Sequence, residues 1–139
     1  MVFTPEELHY LAGQRLGRLA TVGPGGEPQV RPVGFRLNED GTVDIGGPKM
    51  TASRKYRNVV RVPHVSFLVD DMTSADDPDA VAPGWGRGVE IRGHVELLTV
   101  EVPPVAPGFF SHEIIRVHPD RIISWNLAEK GSTARDIVR

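Results

Sequence analysis

Residues 87 to 98, RGVEIRGHVELL, alternate between polar and apolar side chains, and this run limits what the chain can become. Val89, Ile91, Val95 and Leu97 share one face, and Glu90, Arg92, His94 and Glu96 share the other. That is a strand with one dry side. The rest of the chain offers more short runs of the same kind: RLGRLATVG, QVRPVGFRL, TVDIGG, HVSFLVDDM and EIIRVHPDRIISWNL. The turn-rich PGGEP and NEDG separate the first three, which predicts an antiparallel three-stranded meander. HVSFLVDDM is apolar enough for a central strand. Six or seven short strands must bury their dry faces against one another. The expected fold is therefore mainly β with two short helices, a small Greek-key β-barrel in which residues 1 to 139 form one domain.

Local signals set further expectations. Thr4, Pro5 and Glu7 form a capping-box start for a first helix, and Gly13 ends it. Asp70 and Asp71 end a strand and are expected as turn residues. His118-Pro119-Asp120 is expected to break the last strand region, and the polar tail from Ala128 to be loosely held. Residues 73 to 86, TSADDPDAVAPGWG, form a long acidic loop, and VEVPPVAPG forms a second loop.

One stretch does not suit its surroundings. KMTASRKYRNVVRVP is expected as a helix capped by Thr51 or Ser53 and ended by Pro63. Arg54, Lys55 and Arg57 fall in its first turns, where the helix dipole disfavours cations. Arg57 and Arg61 are a like-charge pair. Between Asp44 and Asp70 there is no acid at all. This pattern predicts an anion site: free helix N–H groups and the hydroxyls of Thr51 and Ser53 donate, and Arg54, Lys55 and Arg57 neutralise. A second candidate is RPVGFR. Pro32 marks an edge or bulge, and Gly34 leaves bare backbone on which a flat ring could lie.

Other chemistries lack their residues. The chain has no cysteine, so thiol and Cys-zinc chemistry are excluded. His9, His64, His94, His112 and His118 show no metal-ligand spacing, and no metal site is expected. No nucleophile elbow, Walker loop or dinucleotide fingerprint is present. A net charge of −2 gives no reason to expect nucleic acid or a membrane surface as partner. The start MVFTPEELHYLAG lacks the pattern of a signal peptide, and a cytoplasmic protein is expected. Side chains that advertise no acid–base or nucleophilic chemistry suit an enzyme whose cofactor carries the reaction.

Taken together, GRLATVGPGGEPQVRPVGFR, DIGG, TASRKYRNV, VSFLVDD, RGVEIRG and IIRVHPDRIISW resemble, in this order, the pyridoxamine 5′-phosphate oxidase-like superfamily. More narrowly they resemble its actinobacterial branch, which uses the deazaflavin coenzyme F-420. The resemblance runs from about Phe3 to Leu127. It implies a split β-barrel of the FMN-binding type, a homodimer with the cofactor at the subunit interface. It implies Arg31 and the backbone of Pro32, Val33 and Gly34 beside the cofactor ring, with Gly46 and Gly47 at the ring edge. It also implies Ser53, Arg54 and Lys55 on the cofactor phosphate. The activity implied is hydride transfer from reduced F-420 to a small organic acceptor, an activated C=C bond. An FMN-dependent oxidoreductase on the same fold and a non-catalytic flavin or F-420 carrier are the alternatives. The oxidases proper end in an Arg- and His-bearing segment that holds substrate phosphate. SWNLAEKGSTARDIVR has no such segment, which argues against vitamin B6 oxidation.

Overall fold

The computed structural model describes Val2 to Val138. The order of elements is α1 (Pro5–Ala12), β1 (Leu16–Val22), β2 (Pro28–Leu37), β3 (Val43–Ile45), a 3-10 turn (Met50–Ala52), α2 (Arg54–Arg61), β4 (His64–Met72), β5 (Gly86–Thr99), β6 (Glu113–Trp125) and β7 (Ser132–Asp136). The strands lie in the order β3-β2-β1-β4-β5-β6-β7, all neighbours antiparallel, and β3 also pairs with β6. Six strands thus close into a barrel, as expected. The meander β1-β2-β3 is where the turns placed it. The chain then crosses back from β3 to pair β4 with β1, and α2 is part of that crossover.

The interior is filled by the dry faces. Leu19, Ile45, Phe67, Val69, Val89, Ile91, Ile115, Val117 and Ile122 are at most 1 % exposed. Phe35 and Phe67 meet edge to face, ring centroids 5.2 Å apart. Helix α1 starts as its residues dictate: Thr4 Oγ1 accepts from Glu7 N, Thr4 N donates to Glu7 Oε1, and Gly13 is the C-cap. No helix among the described residues is long and apolar enough to cross a membrane.

Three local expectations fail, each because a distant partner overrides a local signal. The polar tail is not loose. Ser132–Asp136 forms β7 on β6, after a turn in which Asn126 and Gly131 take positive φ (56° and 99°). Arg135 then donates two hydrogen bonds to the buried Glu7 carboxylate, at 2.6 and 3.0 Å, and one to Val2 O. Burial alone would raise the Glu7 pKa, but the bonds from Arg135 and Thr4 outweigh it and hold the pKa low. His118-Pro119-Asp120 does not break the strand, and β6 runs through it. Here β6 changes partner, from β3 (last paired residue Val117) to β7 (first paired residue Arg121). Pro119 stands opposite Gly93 of β5, and the register against β5 slips past Asp120 as a bulge. Asp70 and Asp71 are strand residues, not turn residues. They point to opposite faces, Asp70 to Arg18 and Asp71 to Tyr10 and Arg87.

Candidate functional site

The crossover brings the basic stretch against the β1–β2 hairpin. Asn58 is buried in the middle of α2, and its Nδ2 donates to Thr21 Oγ1 and Gln29 Oε1, both at 2.9 Å. Val59 and Met50 complete the contact with the core. These anchors fix the N-terminus of α2 in place.

Ser53, not Thr51, is the N-cap. Its Oγ accepts from Tyr56 N at 3.3 Å and donates to Met50 O at 2.6 Å, so this hydroxyl is engaged in the turn itself. Arg57 N is taken by Ser53 O at 3.2 Å. The N–H groups of Arg54 and Lys55, the first two of the helix, have no intrahelical acceptor and point past its end. Thr51 lies in the 3-10 turn with its hydroxyl exposed. Lys49, just before the turn, has a positive φ of 51°.

The cations differ in kind. Arg54 and Arg57 are exposed and make no ion pair among the described residues. Arg61 donates to Val22 O at 3.2 Å. Lys55 is half-buried, and it too has no acid or hydrogen-bond acceptor among the described residues. Burial pushes its ammonium pKa down, and the nearby Arg31 guanidinium pushes it further. A Cβ placed on Gly47 would stand 3.4 Å from Lys55 Nζ, so the ammonium lies over Gly47. Two cations from different elements therefore approach one another beside bare backbone, and among the described residues no carboxylate compensates. That is the electrostatics of a site for an anion. The cofactor phosphate implied by the family resemblance fits this donor set.

The strand residues of the site spread along β2. Val33 is buried in the core, while Arg31 and Pro32 are exposed. Residues 28 to 34 pair with β1 on one side only, since β3 pairs with just Phe35, Arg36 and Leu37. Pro32 thus sits on an open edge, as its missing donor requires. Gly46 N donates to Gly34 O at 3.4 Å, which holds these glycines side by side. Their outer faces are covered by Val105, Pro104 and Phe110. This cover was not foreseen from the residues, although VEVPPVAPG followed by two phenylalanines is unusually apolar for a loop. Ser111 and Asn58, both of which hold the site in shape, carry no sequence signal beyond being polar next to apolar runs. Among the described residues, no cluster of His, Asp or Glu is arranged to hold a metal.

Comparison with known proteins agrees with this architecture. A 5a,11a-dehydrotetracycline/5a,11a-dehydrooxytetracycline reductase of Streptomyces rimosus subsp. rimosus is 43% identical over 142 residues, 99% of this chain and 95% of that protein. A solved F420 reductase matches with a TM-score of 0.53 and 26% identity, over 78% of this chain and 88% of that one. The fold is also that of a pyridoxamine 5′-phosphate oxidase-related, FMN-binding protein of Nostoc punctiforme (TM-score 0.58, 15% identity, 96% and 92% covered). The pyridoxamine 5′-phosphate oxidase family model matches residues 3–126. The chain belongs to the pyridoxamine 5′-phosphate oxidase family.

Proposed function

We propose that this protein is an F-420-dependent reductase acting on a conjugated C=C bond of a small organic acceptor. The observation that carries the reading is Lys55, a half-buried cation with no acid beside it among the described residues, next to Arg31 and Gly47. The reductase and F-420 names of the two relatives above support the chemistry, and "dehydro" in the first name denotes an unsaturation. Bound here, reduced F-420 supplies a hydride to the acceptor's double bond.

The protein's own residues bind, orient and exclude. Lys55, Arg54 and the first N–H groups of α2 hold the phosphate. Arg31 and the β2 edge at Pro32 and Val33, with Gly47, set the position of the ring, whereas the faces of Gly34 and Gly46 are taken by Val105, Pro104 and Phe110. Thr51 and Arg57 lie at the rim, where Arg57, Arg61 and Lys49 attract the acidic tail of F-420 by long-range charge. Each such exposed contact is worth at most about 1 kcal/mol and weakens with salt. A proton from solvent or from a side chain of the protein completes the reduction. Positioning two reactants out of water supplies much of the rate.

The site also calls for a second copy of the chain. The open edge of β2 carries Val30, 58 % exposed, and Leu16, opposite Gly34 on β1, is 48 % exposed. Phe67 is fully buried within the barrel, and Phe35 is partly buried against it. A homodimer built on this edge would bring a second surface to the cofactor.

The test is turnover. Reduced F-420 is mixed anaerobically with protein and a 5a,11a-dehydrotetracycline, and oxidised cofactor is followed by absorbance. We expect oxidation in proportion to protein. Tight cofactor binding with no turnover on this or other conjugated acceptors would make the protein a carrier.

A further inference from the structure

The connection between β5 and β6 is an apolar strap pinned at both ends. Val100 N donates to His112 O at 2.9 Å and closes its base. Arg36 Nη1 donates to Val102 O at 2.8 Å, and Arg36 is itself fixed on the buried Asp44 at 3.1 Å. At the other end Ser111 N and Oγ both donate to Gly47 O, at 3.0 and 3.1 Å, and Ser111 Oγ accepts from Met50 N at 3.0 Å. Ser111 thereby ties the strap to the turn that leads into the anion site.

Between these anchors the strap lies on two glycines. A Cβ at Gly34 would stand 2.9 Å from Val105 Cγ2, and one at Gly46 would stand 2.9 Å from Phe110 Cδ2. Side chains at either position would push the strap away. The strap in turn exposes apolar surface. Val102 is 57 % exposed, Val105 38 % and Phe109 71 %, with Phe110 behind Phe109 at a centroid distance of 6.2 Å. From Val100 to Ser111 the only charged residue is Glu101. An aromatic face held out of the core beside an anion turn, on a segment already fixed by hydrogen bonds, suits a flat ligand, because little order is lost on binding.

We propose that the strap is the acceptor-binding wall of the site, and that Phe109 and Val105 select flat, polycyclic acceptors of the tetracycline kind. The proposal rests on the reductase reading and adds the residues that choose the substrate. Phe109 supplies a stacking face, Val105 sets how close the acceptor comes to Gly34, and Ser111 keeps both in register with the phosphate end.

Two separate titrations test it: tetracycline, whose own fluorescence reports binding, and F-420. Phe109→Ala is compared with wild type and with Met72→Ala, a variant at an equally exposed apolar residue outside the strap (70 % exposed). A thermal melt confirms that both variants fold. We expect Phe109→Ala to weaken tetracycline at least fivefold and to leave F-420 within twofold, and Met72→Ala to change neither. Unchanged tetracycline affinity in Phe109→Ala, or no binding of tetracycline to wild type, overturns the proposal. Tighter F-420 binding in Phe109→Ala also overturns it, because the strap would then cover the cofactor's place. Wild type that binds tetracycline but not F-420 counts against the reductase reading and leaves the wall in place.

Discussion

Lys55→Met is expected to weaken F-420 binding by about 10- to 150-fold. A hydrogen bond to a charged group is worth roughly 1.5–3 kcal/mol, and each 1.4 kcal/mol is tenfold. Arg54→Ala is expected to do less, because Arg54 is exposed and Lys55 is half-buried. Without cofactor the effect on stability reverses. The charged ammonium is held out of water beside Arg31 with no acid to offset it, so methionine of similar length should raise the melting temperature or leave it unchanged. The pH dependence has a definite sign. The folded-state pKa of Lys55 lies below its unfolded value, so the unfolded chain binds more protons in the window between them. Stability of the empty wild type should therefore gain from this group as pH rises through that window towards the ordinary lysine pKa, about 10.4. Lys55→Met should lack that gain. Normal F-420 affinity in the variant would mean that the basic turn is not the phosphate site.

Asp44→Asn is expected to cause the largest loss of stability of any charge-removing change. The carboxylate is 0 % exposed and holds two arginines: Arg116 at 2.8 and 3.0 Å and Arg36 at 3.1 Å. Burial by itself would raise its pKa, yet hydrogen bonds from Arg116, Arg36 and Asn38 outweigh burial and hold it low. Removing one member of a buried ion pair leaves uncompensated charge and costs about 3–5 kcal/mol. For a chain of this size the melting temperature should fall by about 10–20 °C. Asp44 also sits on β3, paired with Arg36 of β2 and Arg116 of β6, so it joins the strands where the barrel closes. In wild type its contribution is present above the ordinary carboxylate pKa and is lost as pH falls through the lowered folded pKa. The variant should lack this acid-sensitive part. A melting temperature within about 3 °C of wild type would show that the triad adds nothing.

The elements that could be read from the sequence are those fixed by neighbours in the chain. Thr4, Glu7 and Gly13 determine α1 within a few residues of each other, and PGGEP and NEDG determine the meander. The basic turn could be read for the same reason, because an acid-free run from Ile45 to Val69 is a local property. The misreadings share a different cause. Ser132–Asp136 is too polar to show as a strand, and it is held by β6 and by Glu7, far away in sequence. Asp70 and Asp71 have the composition of a turn, but Arg18 and Arg87 on neighbouring strands make them strand residues. In the site, the charge of Lys55 was evident, whereas its half-burial and its closeness to Arg31 of β2 are tertiary. The strap over Gly34 and Gly46 is a tertiary fact of the same kind. Bare glycine backbone signals a close approach without saying by what.

The most direct measurement is a side-by-side titration of wild-type protein with F-420 and with FMN, followed by fluorescence at low and moderate salt. Both cofactors carry a phosphate for Lys55, but only F-420 offers an acidic tail to Lys49, Arg57 and Arg61. The predicted result is tighter binding of F-420 at moderate salt, with a preference that grows as salt is lowered. Equal or tighter binding of FMN at moderate salt would contradict the account and make the protein a flavin enzyme on the same barrel.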